Sequence, residues 1–305
     1  MKVFLTGSSG FIGSFLLRNL LNSIGCEVAI LLRNPKDAWR IQNLLPKVKV
    51  VTGDLNNLNS IESELFSFRP DIFIHLAWNG VFGGNRNDNL QWRNVNSSLE
   101  LVELAHKLNV KTWIGLGSQA EYGVCQNKTN ELCATHPTTM YGASKLATQI
   151  LSEKLCEKFG IRYAWLRLFS SYGPTDNPQW LIPYTIKKLL NNESPNFTPA
   201  EQLWDYIHVK DVASAISSVA FHDNAQGIFN LGSGNAVPLR SIIEKIRDIT
   251  NPSATLNFGA VTYRPDQVMH LEADIERLFG VTGWRPSISL DDGLYETVNW
   301  WRSQS

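Results

Sequence analysis

Tyr141 and Lys145 have the residue types and the spacing to act together on one substrate atom. They are the first and last residues of the run Tyr141-Gly142-Ala143-Ser144-Lys145. If this run is helical, side chains four residues apart lie on the same face, so the phenol and the ammonium group can point at the same atom. A phenol held in this way can exchange a proton with a bound carbonyl or hydroxyl group.

The spacing by itself is not selective, because the chain contains it three times. The two further copies are Tyr184/Lys188 and Tyr206/Lys210. The copy at Tyr141 differs in its context: it opens a long predicted helix, and it follows a predicted strand whose carboxyl end carries Gly117 and Ser118. The carboxyl ends of parallel strands are where such sheets bind ligands. We therefore favour the first copy as the reactive one and expect an ordinary structural role for the other two.

Three glycines near the start of the chain indicate a dinucleotide-binding site. Gly7, Gly10 and Gly13 follow a short apolar stretch and lead into a predicted helix. Glycine lets the chain turn tightly, and the free N–H groups at the start of the helix can bind a pyrophosphate. A glycine-rich turn without a ligand also fits this pattern. The second apolar run, Val28 to Leu32, lies at the distance that a βαβ unit requires and favours the nucleotide site.

Predicted strands alternate with predicted helices through the first half of the chain. The strands are Val3 to Thr6, Val28 to Leu32, Val48 to Thr52, Ile72 to Ala77, Thr112 to Leu116 and Tyr163 to Phe169. The helices are Phe11 to Asn22, Ile61 to Phe68, Val95 to Leu108 and Tyr141 to Phe159. This alternation predicts an α/β fold with a Rossmann-type doubly wound parallel sheet.

The alternation ends after residue 169, where prolines separate shorter segments. These prolines are Pro174, Pro178, Pro183, Pro195 and Pro199. We predict an NAD(P)-binding domain at residues 1–169. The chain is predicted to return to this domain at about residues 206–231. Residues 170–205 and 232–305 are predicted to form a smaller C-terminal α/β lobe for the substrate.

The composition excludes several classes of function. The 305 residues carry 28 basic and 28 acidic side chains, so the formal net charge is zero and nucleic acid is not an expected partner. No apolar run approaches the ~18 residues of a membrane span, and no leader-like segment precedes the first strand, so we expect a cytoplasmic protein that does not bind membranes. The four cysteines lack the spacing of metal sites, and we expect reduced thiols and no bound metal.

Motifs from both halves of the chain resemble the extended short-chain dehydrogenase/reductases of the nucleotide-sugar epimerase/dehydratase family. In the first half these are the glycine run, Gly53-Asp54-Leu55, His75-Leu76-Ala77 and the Tyr141/Lys145 pair. In the second half they are Arg167-Leu168-Phe169-Ser170-Ser171-Tyr172-Gly173-Pro174, Asp205-Tyr206-Ile207-His208-Val209 and Tyr263-Arg264-Pro265-Asp266. The resemblance extends over nearly the whole chain.

The resemblance implies a catalytic triad of Ser118, Tyr141 and Lys145. Tyr141 would be the acid/base, since tyrosine has an ordinary pKa of about 10 and a nearby lysine cation favours the phenolate. Ser118 would hydrogen-bond the same carbonyl oxygen, Lys145 would also hold the cofactor ribose, and the nicotinamide would carry the hydride.

The resemblance also assigns residues to the cofactor and to the substrate. The expected cofactor-binding residues are Gly7, Ser9, Gly10, Phe11, Ile12, Gly13, Arg33, Asp54, Leu55, Leu76, Ala77, Tyr141 and Lys145. The expected substrate-binding residues are Gln119, Ser170, Trp204 and Arg264. Arg264 would contact the diphosphate. Ser170 and Trp204 replace an Asn and an Arg of the family motifs, and Trp204 could stack on a base instead.

The end of the second predicted strand favours NADP over NAD. NAD-retaining relatives have an acidic residue there, bonded to the ribose 2′-OH, whereas this chain has Leu32 followed by Arg33. A guanidinium suits a 2′-phosphate and would give about a tenfold to hundredfold preference for NADP. A solvated arginine also fits this position, so NAD stays open.

The residues after Ser118 narrow the reaction. Dehydratases and decarboxylases of the family carry acidic groups there, whereas this chain has Gln119 and Ala120, which cannot transfer protons at neutral pH. Together with Arg33, this favours an NADPH-dependent 4-ketoreductase acting on a CDP- or dTDP-linked 4-keto-6-deoxyhexose. The alternatives are a nucleotide-sugar 4-epimerase with tightly bound NAD, a flavonoid- or cinnamoyl-type reductase, and a catalytically silent NADP-sensing scaffold.

Relatives in the family dimerise through a four-helix bundle, so a homodimer is expected. The two contributing helices would be Val95 to Leu108 and Tyr141 to Phe159. The candidate contacts are Leu99, Val102, Leu151 and Leu155.

Overall fold

A seven-stranded parallel sheet is the centre of the fold. The computed structural model describes residues 1–264 and 267–304. The strands are β1 Lys2–Thr6, β2 Glu27–Leu32, β3 Lys49–Thr52, β4 Ile72–His75, β5 Thr112–Ser118, β6 Arg162–Leu168, β7 Ser170–Tyr172, β8 Asn196–Phe197, β9 Leu203–Trp204, β10 Tyr206–His208, β11 Gly227–Leu231, β12 Val237–Pro238, β13 Asn257–Phe258 and β14 His270–Leu271. The large sheet has the order β11-β6-β5-β4-β1-β2-β3. This is the Rossmann-type doubly wound order, with the reversal of direction between β1 and β4.

Helices cover both faces of this sheet. They are α1 Phe11–Leu21, α2 Asn59–Phe68, α3 Leu90–Lys107, α4 Met140–Phe159, α5 Leu181–Leu190, α6 Val209–Phe221, α7 Leu239–Thr250, α8 Glu276–Thr282 and α9 Leu290–Arg302. Short 3₁₀ segments lie at Pro35–Asp37, Trp39–Lys47, Gly83–Asn87 and Gln119–Glu121. Within the part of the chain that the structure describes, no helix is both long enough and apolar enough to cross a membrane.

Each strand contributes alternate side chains to two separate cores. Leu5 and Ile30 point to the face that α1 and α6 cover, whereas Phe4 and Phe73 point to the face covered by α2, α3 and α4. All four side chains are fully or almost fully buried. Burial of both faces explains why the strands are visible in the sequence as continuous apolar runs.

Several predicted boundaries differ from the structure. β4 ends at His75 rather than Ala77, and β5 continues to Ser118. The helix predicted from Val95 begins at Leu90, where the backbone N–H of Leu90 donates to the carboxylate of Asp88 at 2.8 Å. In the first turn of this helix the apolar Leu90 and Trp92 are exposed and the polar Gln91 is buried, so the apolar periodicity of a core-facing helix starts only later. The sequence pattern therefore gave too late a start.

The C-terminal segments build a second, smaller core. α5, α7 and α9 pack around the buried side chains of Ile182, Ile186, Ile242, Leu294 and Val298. Short strand pairs complete it, in the orders β10-β7, β12-β9-β14 and β13-β8. α6 packs on α1, and β11 pairs with β6 in the large sheet. The predicted domain boundaries, including the return at about 206–231, stay a prediction.

Candidate active site

Ser118 is the last residue of β5 and lies under the start of α4. Its Oγ accepts a hydrogen bond from the backbone N–H of Ala120 at 3.2 Å, so its own hydroxyl hydrogen remains as a donor. Positions 115 and 117 of β5 must both be glycine, because a Cβ on Gly115 or Gly117 would lie within 2.3 Å of the indole of Trp165. The close contact between β5 and β6 therefore fixes the height of Ser118 in the sheet.

A buried carboxylate holds the turn that carries Ser118. Glu121 is 0 % exposed and accepts from the backbone N–H of Ser118 at 2.8 Å. It also accepts from Trp165 Nε1 at 3.0 Å and from Arg167 Nε at 2.7 Å. Burial raises the pKa of Glu121, and Arg167 and these donors offset part of that rise. The sequence reasoning missed Glu121, although Ser118 and Glu121 have the spacing of a capping box, which the structure contains.

Tyr141 lies in the first turn of α4 and points towards Ser118. The helix is capped by Thr139, whose Oγ1 accepts from the backbone N–H of Gly142 at 3.1 Å. A Cβ on Gly142 would lie 2.3 Å from the carbonyl oxygen of Ala120, so the helix packs directly on the turn after Ser118. This packing buries Tyr141 and places its hydroxyl in hydrogen-bonding interaction with Ser118.

Lys145 is buried one helical turn further along. Its Nζ donates to the carbonyl oxygen of Leu116 at 2.6 Å and lies 3.7 Å from the ring centroid of Trp78. Burial lowers the pKa of Lys145 to about 7, and the negative charge of Glu121 offsets part of the drop. The lysine is therefore held close to its titration point at neutral pH.

The electrostatic prediction for Tyr141 is wrong in one respect. We expected Lys145 to favour the phenolate, but Lys145 Nζ lies 6.0 Å from the centroid of the tyrosine ring. In the structure, burial raises the pKa of Tyr141, and the two groups that lower it in part are Ser118 and the guanidinium of Arg86. Arg86 was not predicted from the sequence.

A cleft of about 400 Å³ runs across the carboxyl ends of β1, β2, β3 and β4. Among its lining residues are most of the predicted cofactor-binding residues, namely Gly7, Ser9, Gly10, Arg33, Asp54, Leu55, Leu76 and Ala77. Trp78 and Asn94 also line it, and the sequence reasoning missed both. Phe11, Ile12 and Gly13 form the first turn of α1, directly after Gly10.

The glycine loop has the close contacts that a dinucleotide cradle requires. Gly7 has a φ of 77°, and a Cβ there would lie 2.7 Å from the backbone nitrogen of Ala77. A Cβ on Gly13 would lie 2.0 Å from the carbonyl oxygen of Gly7. No side chain caps the start of α1, so its free N–H groups face the cleft. These residues fit the pyrophosphate of a dinucleotide.

The far end of the cleft carries a positive side chain at the end of β2. Arg33 is exposed and lines the cleft beside Leu31 and Leu32. The nearby carboxylate follows the end of β3: Asp54 Oδ1 accepts from the backbone N–H and the side-chain amide of Asn56 at 2.8 and 2.6 Å. β2 thus ends at an apolar residue, Leu32, and the cation Arg33 follows it.

His75 connects three elements below the cleft. Its Nδ1 lies 2.7 Å from Thr6 Oγ1 in β1, and its Nε2 lies 2.9 Å from Ser98 Oγ in α3. Burial, with the positive charge of Lys145 adding to it, lowers the pKa of His75 to about 3. The imidazole is therefore neutral at physiological pH and holds β4 in place.

The predicted substrate-side residues lie at the border of the second lobe. Trp204 Nε1 donates to Ser170 Oγ at 2.7 Å, so these two residues bind each other. Gln119 is half-buried in the turn after Ser118, and Arg264 is exposed and near enough to Arg86 for their charges to interact. Pro265 and Asp266 of the same motif lie outside the described residues.

The other two copies of the tyrosine–lysine spacing lie away from the cleft of the large sheet. Tyr184 packs edge-on against Phe197, and Tyr206 packs edge-on against Tyr172. Their lysines form surface ion pairs, Lys188 with Glu193 and Lys210 with Glu296. Neither pair lines the cleft of the large sheet.

Comparison with known proteins identifies the relatives of this chain. CDP-abequose synthase of Salmonella muenchen is 28 % identical over 98 % of this chain and 97 % of its own length. A solved UDP-N-acetylglucosamine 4-epimerase of Methanobrevibacter ruminantium, in complex with UDP-N-acetylmuramic acid, is 27 % identical with a TM-score of 0.87, and the match covers 100 % of this chain and 99 % of that one. MoeE5, solved with UDP-glucose and NAD, is 26 % identical with a TM-score of 0.83 over 100 % of this chain and 99 % of its own.

A family-wide comparison matches residues 3–232 to the NAD dependent epimerase/dehydratase family. This range contains the glycine loop, the cleft, and all three of Ser118, Tyr141 and Lys145. The seven-stranded sheet and the second lobe agree with the relatives that were solved with nucleotide sugars. The chain therefore belongs to the NAD dependent epimerase/dehydratase family, whose members include nucleotide-sugar epimerases and dehydratases.

Proposed function

We propose that the protein is an NADPH-dependent 4-ketoreductase that acts on a CDP- or dTDP-linked 4-keto-6-deoxyhexose. The observation that carries this proposal is the end of β2, where Arg33 lines the cleft and no carboxylate is available from Leu32. A cation at this position pairs with a 2′-phosphate, which only NADP carries. A reductase that uses NADPH releases the oxidised cofactor after each turnover.

In the proposed ketone reduction, each group of the site has its own role. The bound nicotinamide supplies the hydride. Tyr141 donates its proton to the carbonyl oxygen, and the Ser118 hydroxyl donates a hydrogen bond to that oxygen as negative charge develops. Lys145, buried one turn from Tyr141, binds the cofactor ribose from the same helix face.

The turn after Ser118 disfavours elimination of water. Gln119 and Ala120 carry no titratable group, and the next residue, Glu121, is fully buried in its ion pair with Arg167. A carboxylate in that position cannot reach a sugar in the cleft. Dehydratase and decarboxylase reactions need an acid or base beside the serine, so a reaction confined to the hydride and Tyr141 is favoured.

The relatives divide between two reactions. The similarity to CDP-abequose synthase supports a role with CDP-activated sugars. The similarity to solved 4-epimerases and to an NAD complex supports a second candidate, a nucleotide-sugar 4-epimerase that retains NAD. Both candidates use Ser118, Tyr141 and Lys145. The presence of all three in one buried cluster argues against a catalytically silent NADP-sensing scaffold.

One pair of assays separates the two reactions. The purified protein is incubated with NADPH and a CDP- or dTDP-linked 4-keto-6-deoxyhexose, and loss of reduced-nicotinamide absorbance is followed together with formation of the 4-hydroxy sugar. In parallel, NDP-hexoses are incubated without added cofactor and analysed for the C4 epimer. Stoichiometric NADPH oxidation supports the ketoreductase. Epimer formation without NADPH consumption establishes the epimerase instead.

We also propose that the protein is a homodimer built on α3 and α4. The two helices pack side by side, and α4 leaves Ile150 and Leu151 exposed by 48 % and 46 %. Leu99 and Leu155 are half-buried and can join such a contact. Val102 cannot, because it is 0 % exposed and packs into the core of its own subunit. Light scattering at micromolar concentration tests this, and a single monomer mass contradicts it.

A further inference from the structure

The loop formed by residues 79–89, between β4 and α3, is anchored by one buried amide. Gln91 is 0 % exposed, and its Nε2 donates to the carbonyl oxygens of Gly80 and Asn85 at 2.7 and 2.8 Å. Its Oε1 accepts from Trp78 Nε1 at 2.8 Å. A single side chain thus fixes the start and the middle of this loop, and the indole that precedes it.

The same loop is also fastened to the catalytic helix. Asn87 Oδ1 accepts from the backbone N–H of Met140, the first residue of α4, at 3.1 Å. Phe82 packs edge-on against Trp180 at the start of α5, with ring centroids 4.8 Å apart. The loop is therefore connected to both lobes around the entrance to the triad.

This anchoring places a cation on the ring of Tyr141. Arg86 Cζ lies 4.5 Å from the centroid of the tyrosine ring, and the arginine is half-buried. A guanidinium over an aromatic face is attracted by the ring quadrupole, and the attraction becomes stronger when the phenol loses its proton. The lysine cation, in contrast, is 6.0 Å from this centroid and contacts Trp78.

We propose that Arg86 is a positioning residue for Tyr141, whose ring it orients and whose phenolate form it stabilises during proton transfer to the sugar oxygen. The proposal rests on the proposed function of Tyr141 as acid/base. In this arrangement the two cations have separate tasks. Lys145 holds the cofactor side of the site, and Arg86 acts on the tyrosine from the substrate side.

Three charged groups lie near Tyr141, a fourth lies near Arg86, and together they set the sign of the effect. Arg86 lowers the pKa of Tyr141 and Glu121, from the turn after β5, raises it. Lys145 lies on the same helix, and Arg264, from the second lobe, faces Arg86. Removal of the Arg86 charge leaves Glu121 in place, so the pKa of Tyr141 must rise in the variant.

The test is a titration of Tyr141 in the full-length protein with its oxidised cofactor bound. Tyrosine labelled at 13Cζ reports ionisation by NMR, and the Tyr141 resonance is the one absent from Tyr141→Phe. Arg86→Gln and Arg86→Met both remove the charge, and the methionine keeps apolar contact with the ring. Arg86→Lys is the conservative variant. Arg285→Gln is the matched control, because Arg285 lies 3.7 Å from the ring centroid of Phe279 on an exposed face of the C-terminal lobe.

We expect the midpoint of Tyr141 to rise by about one pH unit or more in Arg86→Gln and Arg86→Met. Arg86→Lys should recover part of the shift, and Arg285→Gln should match the unaltered protein. The pH profile of the reverse reaction, in which the oxidised cofactor oxidises the 4-hydroxy sugar, should move in the same direction. An unchanged Tyr141 midpoint in both neutral variants overturns the proposal. It is also overturned if Tyr141 stays protonated in every protein, with the same chemical shift, up to the highest pH at which the proteins stay folded.

The NMR titration needs no turnover, so it separates this inference from the proposed function. A protein that reduces no ketosugar but whose Tyr141 midpoint depends on Arg86 contradicts the proposed function and supports the positioning role. A protein that reduces ketosugars, but whose Tyr141 midpoint does not change in the neutral variants, supports the proposed function and contradicts the positioning role of Arg86.

Discussion

The indole N–H of Trp204 donates a hydrogen bond to the hydroxyl of Ser170 at 2.7 Å, across the border between β9 and β7. In the family motifs these two positions hold an Arg and an Asn. The two departures are therefore paired in space and joined to each other by a hydrogen bond.

We predict that this pair is energetically coupled. Ser170→Ala and Trp204→Phe each remove the hydrogen bond, so the double variant should lose less stability than the sum of the two, with a coupling of about 1 kcal/mol. Urea unfolding of the four proteins measures it. Strict additivity of the unfolding free energies contradicts the coupling. Nucleotide binding to the same four proteins shows in addition whether the pair contacts the base.

Arg33 determines the choice of cofactor in our proposal. NADPH should bind at least several-fold more tightly than NADH, because the guanidinium can pair with the 2′-phosphate. In Arg33→Ala the difference should vanish through weaker NADPH binding, while NADH binding changes little. Fluorescence titration with both cofactors measures this. Equal affinities in the unaltered protein are incompatible with the prediction.

Tyr141→Phe should abolish most of the turnover. The substitution removes the proton donor and keeps the ring, so turnover should fall by about two orders of magnitude or more with NADPH binding largely intact. Tyr184→Phe and Tyr206→Phe are the matched controls, since both tyrosines pack against aromatic rings away from the cleft of the large sheet. Loss of turnover in a folded control variant would show that the wrong copy of the motif has been selected.

Lys145 should make stability depend on pH. Its pKa is about 7 in the folded protein, below the ordinary value of 10.5. Between pH 7 and pH 10.5 the unfolded chain holds a proton on this lysine that the folded protein lacks. The free energy of unfolding therefore increases as the pH rises from 7. Lys145→Met removes the titration. The free energy of unfolding of the unaltered protein, relative to the variant, should therefore increase between pH 7 and pH 9, and a constant difference contradicts the burial of an uncharged amine.

The sheet could be predicted from the sequence because its strands are buried on both faces. Runs such as Val28 to Leu32 are apolar throughout, and the structure places β2 there with a one-residue difference at its start. The start of α3 was predicted five residues late, because the apolar Leu90 and Trp92 are exposed there. The buried residues of this turn, Gln91 and Asn94, are polar and bond to a loop rather than to the core.

The candidate site was only partly predictable. Ser118, Tyr141 and Lys145 follow from a motif and its context, and the structure brings them together. Arg86 and Trp78 were missed, because their approach to the triad depends on the fold of a loop and on one buried amide, and neither leaves a periodic pattern in the sequence. Glu121 had a sequence signal, but that signal describes a helix start and not a buried charge.

The contact of Gly115 and Gly117 with Trp165 has a consequence for the evolution of substrate choice in this protein. The indole occupies the space of two absent side chains and at the same time donates to Glu121, which holds Ser118. Any larger residue in this layer would displace the serine, so the floor of the site has little freedom to vary. Under the proposed function, a different sugar would therefore be accommodated from above, by the loop of residues 79–89 and by the second lobe, rather than by the layer that holds Ser118.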